Sequence, residues 1–355
     1  MNKRYSEIEI KKWYESLPWL RGSNFLPSNV INRLDMYQSY KSDEHLRVSD
    51  IELDLHEKIG FNTVRLWLDF DCYYLEKEKY LEILEEYISL CDKHHQLVML
   101  VLAHEEDLPY DTFKAKELGE QRKYYNHFNR DYPQYYEMAP RKKHYLEFDE
   151  TRDLFLEMID VVVNKYKNDK RIIAWNIYNE PGITIGNRAI PLLELLFDKV
   201  RKINPIQPLS ADIWRDVDEN GIPYSPEERK ALELSDFISF HSYNKYPSFT
   251  KKIEALEKHN RPIIVTEWLQ RINHNNVEDI YPYLAKKRIG AYCWGFVEGD
   301  TFTNEPWENL WKEIEINPNY DYDFSKWQHN LFRRNLHPYI PKEIELIKKI
   351  NEKVA

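Results

Sequence analysis

Short apolar runs recur along this chain, separated by longer stretches with helical periodicity, and that alternation constrains the fold more than any other feature. The runs occupy residues 19–25, 63–68, 96–103, 172–180, 208–213, 237–241, 262–267 and 291–296. Most are apolar at successive positions, which suits strands covered on both faces. Strands that alternate with helical segments build a parallel sheet from βα units. Helical patterns fall at 49–58, 77–95, 151–167, 192–203 and 277–288, and a closing helix runs to Ile350. Ser49 reads as an N-cap and Gly60 as a helix stop.

Eight such runs predict a single (β/α)8 TIM barrel over residues 1–355. Its core spans about 17–300, with a long tyrosine-rich loop (105–147) after the third strand and a C-terminal extension over 299–355. The competing architecture is an open doubly wound sheet. It lacks support, because the chain has only 9 glycines and no glycine-rich phosphate loop.

Bulk properties narrow the partners. A net charge of −10 argues against nucleic acid, which demands a basic face. No apolar run reaches the length of a membrane span. Cys72, Cys91 and Cys293 form an odd, sparse set without metal-site spacing, so we expect free thiols. The first residues are polar and charged, not signal-like. A cytoplasmic protein is the expectation; a leader removed beforehand would allow secretion. The sequence gives no oligomeric state. Aromatic residues reach 14 %, which suits either a large core or a cleft that stacks on sugar rings.

In a barrel of this kind the active site lies at the C-terminal strand ends. Strand two supplies Arg65, strand three His104, strand four Asn179 and Glu180. Strand six supplies His241 and Tyr243, strand seven Glu267, and strand eight Trp294. Taken singly, each has a plain structural reading: an ion-pair partner, a core histidine, a loop anchor, a helix-terminal charge. Taken together, two strand-end glutamates suggest a pair of carboxylates facing one glycosidic bond.

These residues, with Asn179-Glu180-Pro181 and Arg21-Gly22-Ser23-Asn24, resemble glycoside hydrolase family 5, within clan A of retaining (β/α)8 glycosidases. The resemblance covers about 17–300. It implies Glu180 as general acid/base and Glu267 as nucleophile, the latter kept ionised by Arg65 and Tyr243. It implies Asn179 on the sugar 2-hydroxyl and Trp294 as the sugar platform. His104 and His241 would bind sugar hydroxyls or tune Glu180. Trp67, Trp214 and Trp268, near strand ends, are further stacking candidates. No cofactor and no metal are implied.

The function expected is retaining hydrolysis of β-linked oligosaccharides or glycosides, exo-acting or oligosaccharide-preferring. The tyrosine-rich loop and Trp307, Trp311 and Trp327 of the extension would close the cleft into a pocket. An endo-β-glycanase acting on mannan, xylan or glucan is the alternative. Two other classes compete. A metal-dependent barrel isomerase or hydrolase would draw ligands from His104, Glu105, Glu106, Asp107, Glu180, His241 and Glu267. A non-catalytic carbohydrate-binding barrel would have no use for opposed carboxylates.

Overall fold

A computed structural model of the protein describes residues 4–105, 113, 115–121 and 143–354. The eight strands are β1 (Arg21–Asn24), β2 (Thr63–Trp67), β3 (Leu97–Val101), β4 (Ile172–Tyr178), β5 (Leu209–Ile213), β6 (Ile238–His241), β7 (Ile263–Trp268) and β8 (Gly290–Trp294). They close in sequence order, each parallel to the next, and β1 pairs with both β2 and β8. Asn24 stands opposite both Arg65 and Trp294 at this seam. The barrel expected from the apolar runs is therefore the one formed.

Two kinds of side chain fill the barrel. The lower layer is apolar: Leu20, Met99, Ala174, Phe237, Ile264 and Tyr292 pack together. Helix α1 (Glu7–Glu15) joins this cluster, burying Ile10 in it and stacking Trp13 on Phe237 at 5.4 Å. Other buried interior positions are polar: Asn24, Arg65, Asn176, Asp212 and Thr266. A buried polar group is tolerated only when hydrogen-bonded, so this layer forms a network that commits its side chains to fixed directions. Three register shifts fall where the network meets the mouth, between Asn176 and Tyr178, between Phe240 and His241, and between Val265 and Trp268, and a fourth lies lower, between Val98 and Met99. Such irregularities re-aim side chains at strand ends.

The outer helices are α2 (Arg33–Tyr37), α3 (Ser42–Lys58), α4 (Phe70–Lys93), α5 (Asp149–Tyr166), α6 (Ala189–Ile203), α7 (Pro226–Leu234), α8 (Tyr246–Leu256), α9 (Val277–Lys287), α10 (Glu308–Ile316) and α11 (Pro341–Val354). Two differ informatively from the sequence reading. Helix α3 starts at Ser42, so Ser49 is no cap; its hydroxyl donates to the His45 carbonyl one turn back. Helix α4 starts at Phe70, not at 77, and non-helical backbone at Glu76 interrupts its period. Helices α1, α2, α7, α8 and α10 were not anticipated, being short and largely polar.

The extension is tied to the barrel. Arg271, after β7, donates from Nε to Glu343 Oε1 (2.8 Å) and from Nη2 to Oε2 (2.6 Å), and its Nη1 reaches the His329 carbonyl (3.0 Å). Both side chains are buried, so α11 is locked to the loop that follows β7 by a bidentate ion pair. Cys72, Cys91 and Cys293 are buried and unpaired. Among the described residues no helix is long and apolar enough to cross a membrane.

Candidate active site

Arg65 organises the site. It projects from the middle of β2 and is fully buried. Its Nη1 donates to Asn24 Oδ1 and Glu267 Oε1, both at 2.9 Å. Its Nη2 donates to Asp212 Oδ2 (2.8 Å), Asn179 Oδ1 (2.7 Å) and Asn176 Oδ1 (3.3 Å). One guanidinium thus fixes groups from β1, β4, β5 and β7, a task suited to a planar, permanently charged fork. The guanidinium also lies 4.6 Å from the Trp67 ring centre.

Glu267 lies within β7, and donors meet both its oxygens: Arg65 at Oε1 and the Tyr243 hydroxyl at Oε2 (2.8 Å). Burial pushes this carboxyl above its ordinary range and Glu180 adds to the push, while His241, Arg65 and Tyr243 pull it down. The two donors are in place as the sequence suggested, but burial outweighs them.

Glu180 sits two residues beyond β4 with φ of +43°, in the left-handed region. Its Oε1 is 2.7 Å from His241 Nδ1. The same nitrogen is 3.5 Å from Glu267 Oε2, and His241 Nε2 is 3.5 Å from Asp212 Oδ2. Burial opposes a charge on His241, but Glu267, Asp212 and Glu180 surround it and raise it to about 10. Asp212 is held well below its ordinary value: burial acts against this, and Arg65 and His241 overcome it. At neutral pH His241 is therefore an imidazolium, facing a charged Asp212. One oxygen each of Glu180 and Glu267 and a nitrogen of His241 all lie within 4.8 Å of one another. The two acids singled out at the strand ends thus lie side by side.

The other candidates divide. Trp294 packs edge-on to Trp67 at 5.1 Å, beside the site. Asn179 gives its Oδ1 to Arg65, which leaves the amide nitrogen to donate. His104 Nε2 lies 2.7 Å from Arg33 Nη2. Trp214 donates from Nε1 to the Pro181 carbonyl (3.2 Å), and Arg215 stacks on its ring at 4.0 Å. Trp268 is a correction: it is buried on the outer side of the barrel, stacked on Tyr281 at 6.0 Å, and offers no face to a substrate. Its neighbour Glu267 points inward, and successive residues of a strand point to opposite faces.

Asn176, Asp212, Arg33 and His329 belong here without having been singled out. Asn176 and Asp212 interrupt largely apolar strands, and a polar residue inside such a run is the available signal. Trp307 packs on Tyr243 at 5.2 Å and His329 at 5.6 Å, and His329 lies 6.5 Å from Trp294. Of the other extension tryptophans, Trp311 stacks on Phe324 and Trp327 on Tyr339, both within the extension.

Among the described residues only Glu180, His241 and Glu267 have the spacing to hold a metal ion. Their donor atoms are already committed to Arg65, Tyr243 and each other, and a fixed cation stands at hydrogen-bond distance, so the set suits a metal poorly. Glu105 belongs to another cluster. Glu106, Asp107 and most of the tyrosine-rich loop lie outside the described residues.

Solved structures share this architecture. A GH5_18 protein from Streptomyces cattleya, in complex with GlcNAc, matches with a TM-score of 0.58 at 12% identity, over 94% of this chain and 80% of that one. A family 5 mannosidase from Rhizomucor miehei, in complex with mannosyl-fructose, gives 0.57 at 14% identity, over 94% and 92%. An endo-β-1,4-mannanase from Thermotoga petrophila gives 0.55 at 14% identity, over 94% and 77%. No curated protein sequence matches the chain. The family model described as Cellulase (glycosyl hydrolase family 5) matches residues 48–299, well over half of the chain and every strand from β2 to β8. With the closed barrel, that match makes this chain a member of glycosyl hydrolase family 5, a retaining glycoside hydrolase of clan A.

Proposed function

We propose that the protein removes single sugars from the ends of short β-linked oligosaccharides by double displacement, with β-mannosides as the preferred class. The observation that carries the mechanism is the convergence of Glu180 and Glu267, whose nearest oxygens lie within 4.8 Å. Carboxyl groups roughly 5–5.5 Å apart suit a covalent route, because an inverting water has no room between them. In the first step Glu267 attacks the anomeric carbon as Glu180 passes its proton to the departing glycosidic oxygen. In the second, Glu180 takes a proton from water, whose oxygen displaces Glu267. Asn179 donates to the 2-hydroxyl, a contact that tightens as the oxocarbenium-like transition state forms.

The exo preference rests on the extension. Glu180 on the β4 side marks where the leaving group departs, and β8 is diametrically opposite in an eight-stranded barrel. The segment after β8 folds back so that Trp307 and His329 flank Tyr243, with His329 beside Trp294, and so walls the end away from the leaving group. The mannose preference is supported by the named specificities of the similar structures, a mannosidase and a mannanase among them. The unpaired, buried cysteines favour a reducing, cytoplasmic setting.

The test is product analysis on β-1,4-mannobiose, mannotriose and intact mannan, with cello- and xylo-oligosaccharides in parallel. Successive release of mannose from the short chains is expected. Mid-length products cut from the polymer would replace this reading with the endo one. Turnover of only the other sugars would remove the mannose assignment.

A further inference from the structure

We infer that Glu105 is the positioning residue that aims Glu180, by gripping the loop on which the acid/base group is mounted. Glu180 follows β4 at a point where the backbone takes a left-handed turn unusual for a side chain other than glycine. Such a conformation persists only when its surroundings over-determine it. The following loop has few hydrogen bonds of its own: Ile183 N to the Glu180 carbonyl and Gly186 N to the Gly182 carbonyl. The amides of Gly182, Thr184 and Ile185 turn onto Glu105. Oε1 accepts from Gly182 N (2.6 Å) and the Tyr178 hydroxyl (3.1 Å). Oε2 accepts from Thr184 N (2.6 Å), Thr184 Oγ1 (2.8 Å) and Ile185 N (2.9 Å).

Five donors on one carboxylate form a backbone nest with the anion built in. They bracket Glu180 from both sides, since Tyr178 precedes it and Gly182, Thr184 and Ile185 follow. Glu105 is well placed to act as the anchor. Asn179 N donates to the Ala103 carbonyl (2.8 Å), and His104 pairs with Asn179 in a parallel bridge, so 103–105 run beside 178–180. The far side of the loop is also braced. Gly182 has φ of +82°, and a Cβ there would come within 2.5 Å of Glu227, which pairs with Arg215. The loop is held between two carboxylates, and Glu105 takes its amides. This engagement also accounts for Glu105 without a metal.

The inference rests on the reading of Glu180 as acid/base, and the experiment separates the two. Glu105→Gln has nearly the same shape but offers an NH2 group where donors already converge. It is measured on phenyl and 2,4-dinitrophenyl β-mannosides, with the matching β-glucosides alongside, and Glu180→Ala is measured on the same substrates. The phenyl leaving group needs a proton and the dinitrophenyl group does not. We expect kcat on the phenyl glycoside to fall about 100-fold with KM little changed, the scale of a misplaced catalytic group. On the dinitrophenyl glycoside the loss in kcat/KM, which reads the glycosylation step alone, should stay below about 3-fold. Thr184→Val, which removes one donor of five, should show the same ordering at about 2- to 5-fold; it carries the test if Glu105→Gln does not fold. Equal losses in kcat/KM on both leaving groups would overturn the positioning role, provided Glu180→Ala discriminates between them on the same quantity. Equal losses in Glu180→Ala itself would overturn the acid/base reading instead.

Discussion

The two glutamates of this site are held in opposite ways. Glu267 is part of a strand, and fixed donors from β2 and from the residue two beyond β6 meet its two oxygens. Its side chain is 8% exposed. Glu180 lies outside its strand on a strained turn, its side chain is 18% exposed, and among the described residues its carboxyl pairs with a histidine that is itself charged by its neighbours. The first arrangement suits a group that must lie still and attack one atom. The second suits a group that must hand over a proton, take one back, and face solvent for the incoming water. Rigidity comes from the sheet in one case and from a gripped loop in the other.

The sharpest way to break this comparison is to delete each carboxylate. Glu267→Ala should lower kcat by at least about 10^4-fold, because no covalent intermediate can form. Glu180→Ala should cost roughly 10^2- to 10^4-fold on substrates with poor leaving groups. Added azide should restore turnover in both. The Glu180 variant should yield the β-glycosyl azide and the Glu267 variant the α-azide; exchanged stereochemistry would reverse the roles.

Asp212→Asn probes the network beneath. It deprives buried Arg65 and His241 of a shared counter-charge, and breaking a buried pair in this way costs about 3–5 kcal/mol. Urea denaturation monitored by circular dichroism reads the loss, and an unchanged midpoint would show that the network tolerates the charge imbalance. Tyr243→Phe removes one donor from Glu267. A hydrogen bond to a charged group is worth about 1.5–3 kcal/mol, so kcat/KM should fall roughly 10- to 100-fold while the fold survives.

The smallest effect is on the pH dependence of stability. His241 is raised from 6.5 to about 10 in the folded protein. A group with a raised folded value stabilises fully below its unfolded value and loses that contribution as pH rises through the folded one. The melting-temperature gap between wild type and His241→Asn should therefore be widest at or below about pH 6.5 and shrink towards pH 10. A gap that widens with pH would show that His241 is neutral in the native state.

The barrel was legible because its strands are apolar at successive positions, and a covered parallel strand has no other way to be written. The site residues were legible for the same reason: each lies in or just beyond such a run, at the end where a barrel carries its chemistry. Glu180, His241 and Glu267 meet as their positions implied. Asp212 and Asn176 were not seen, since one polar residue within an apolar strand reveals nothing of its partner until the barrel closes. Trp268 misled because the sequence shows that an indole lies near a strand end, not which face it takes. The extension was expected to cover the cleft through Trp307, but its pairing with Tyr243 and the part of His329 were not visible, because no local pattern records which residues such a distant segment meets.

The bidentate lock between Arg271 and Glu343 has a consequence for the order in which the molecule is completed. Arg271 sits four residues after Glu267, yet its partner lies in the final helix. On a ribosome, the β7 loop emerges well before that helix, and until the helix arrives a guanidinium destined for the interior has no counter-ion. The rim beside the nucleophile is thus finished last, and nascent chains stalled short of residue 343 should carry a barrel without a settled catalytic edge.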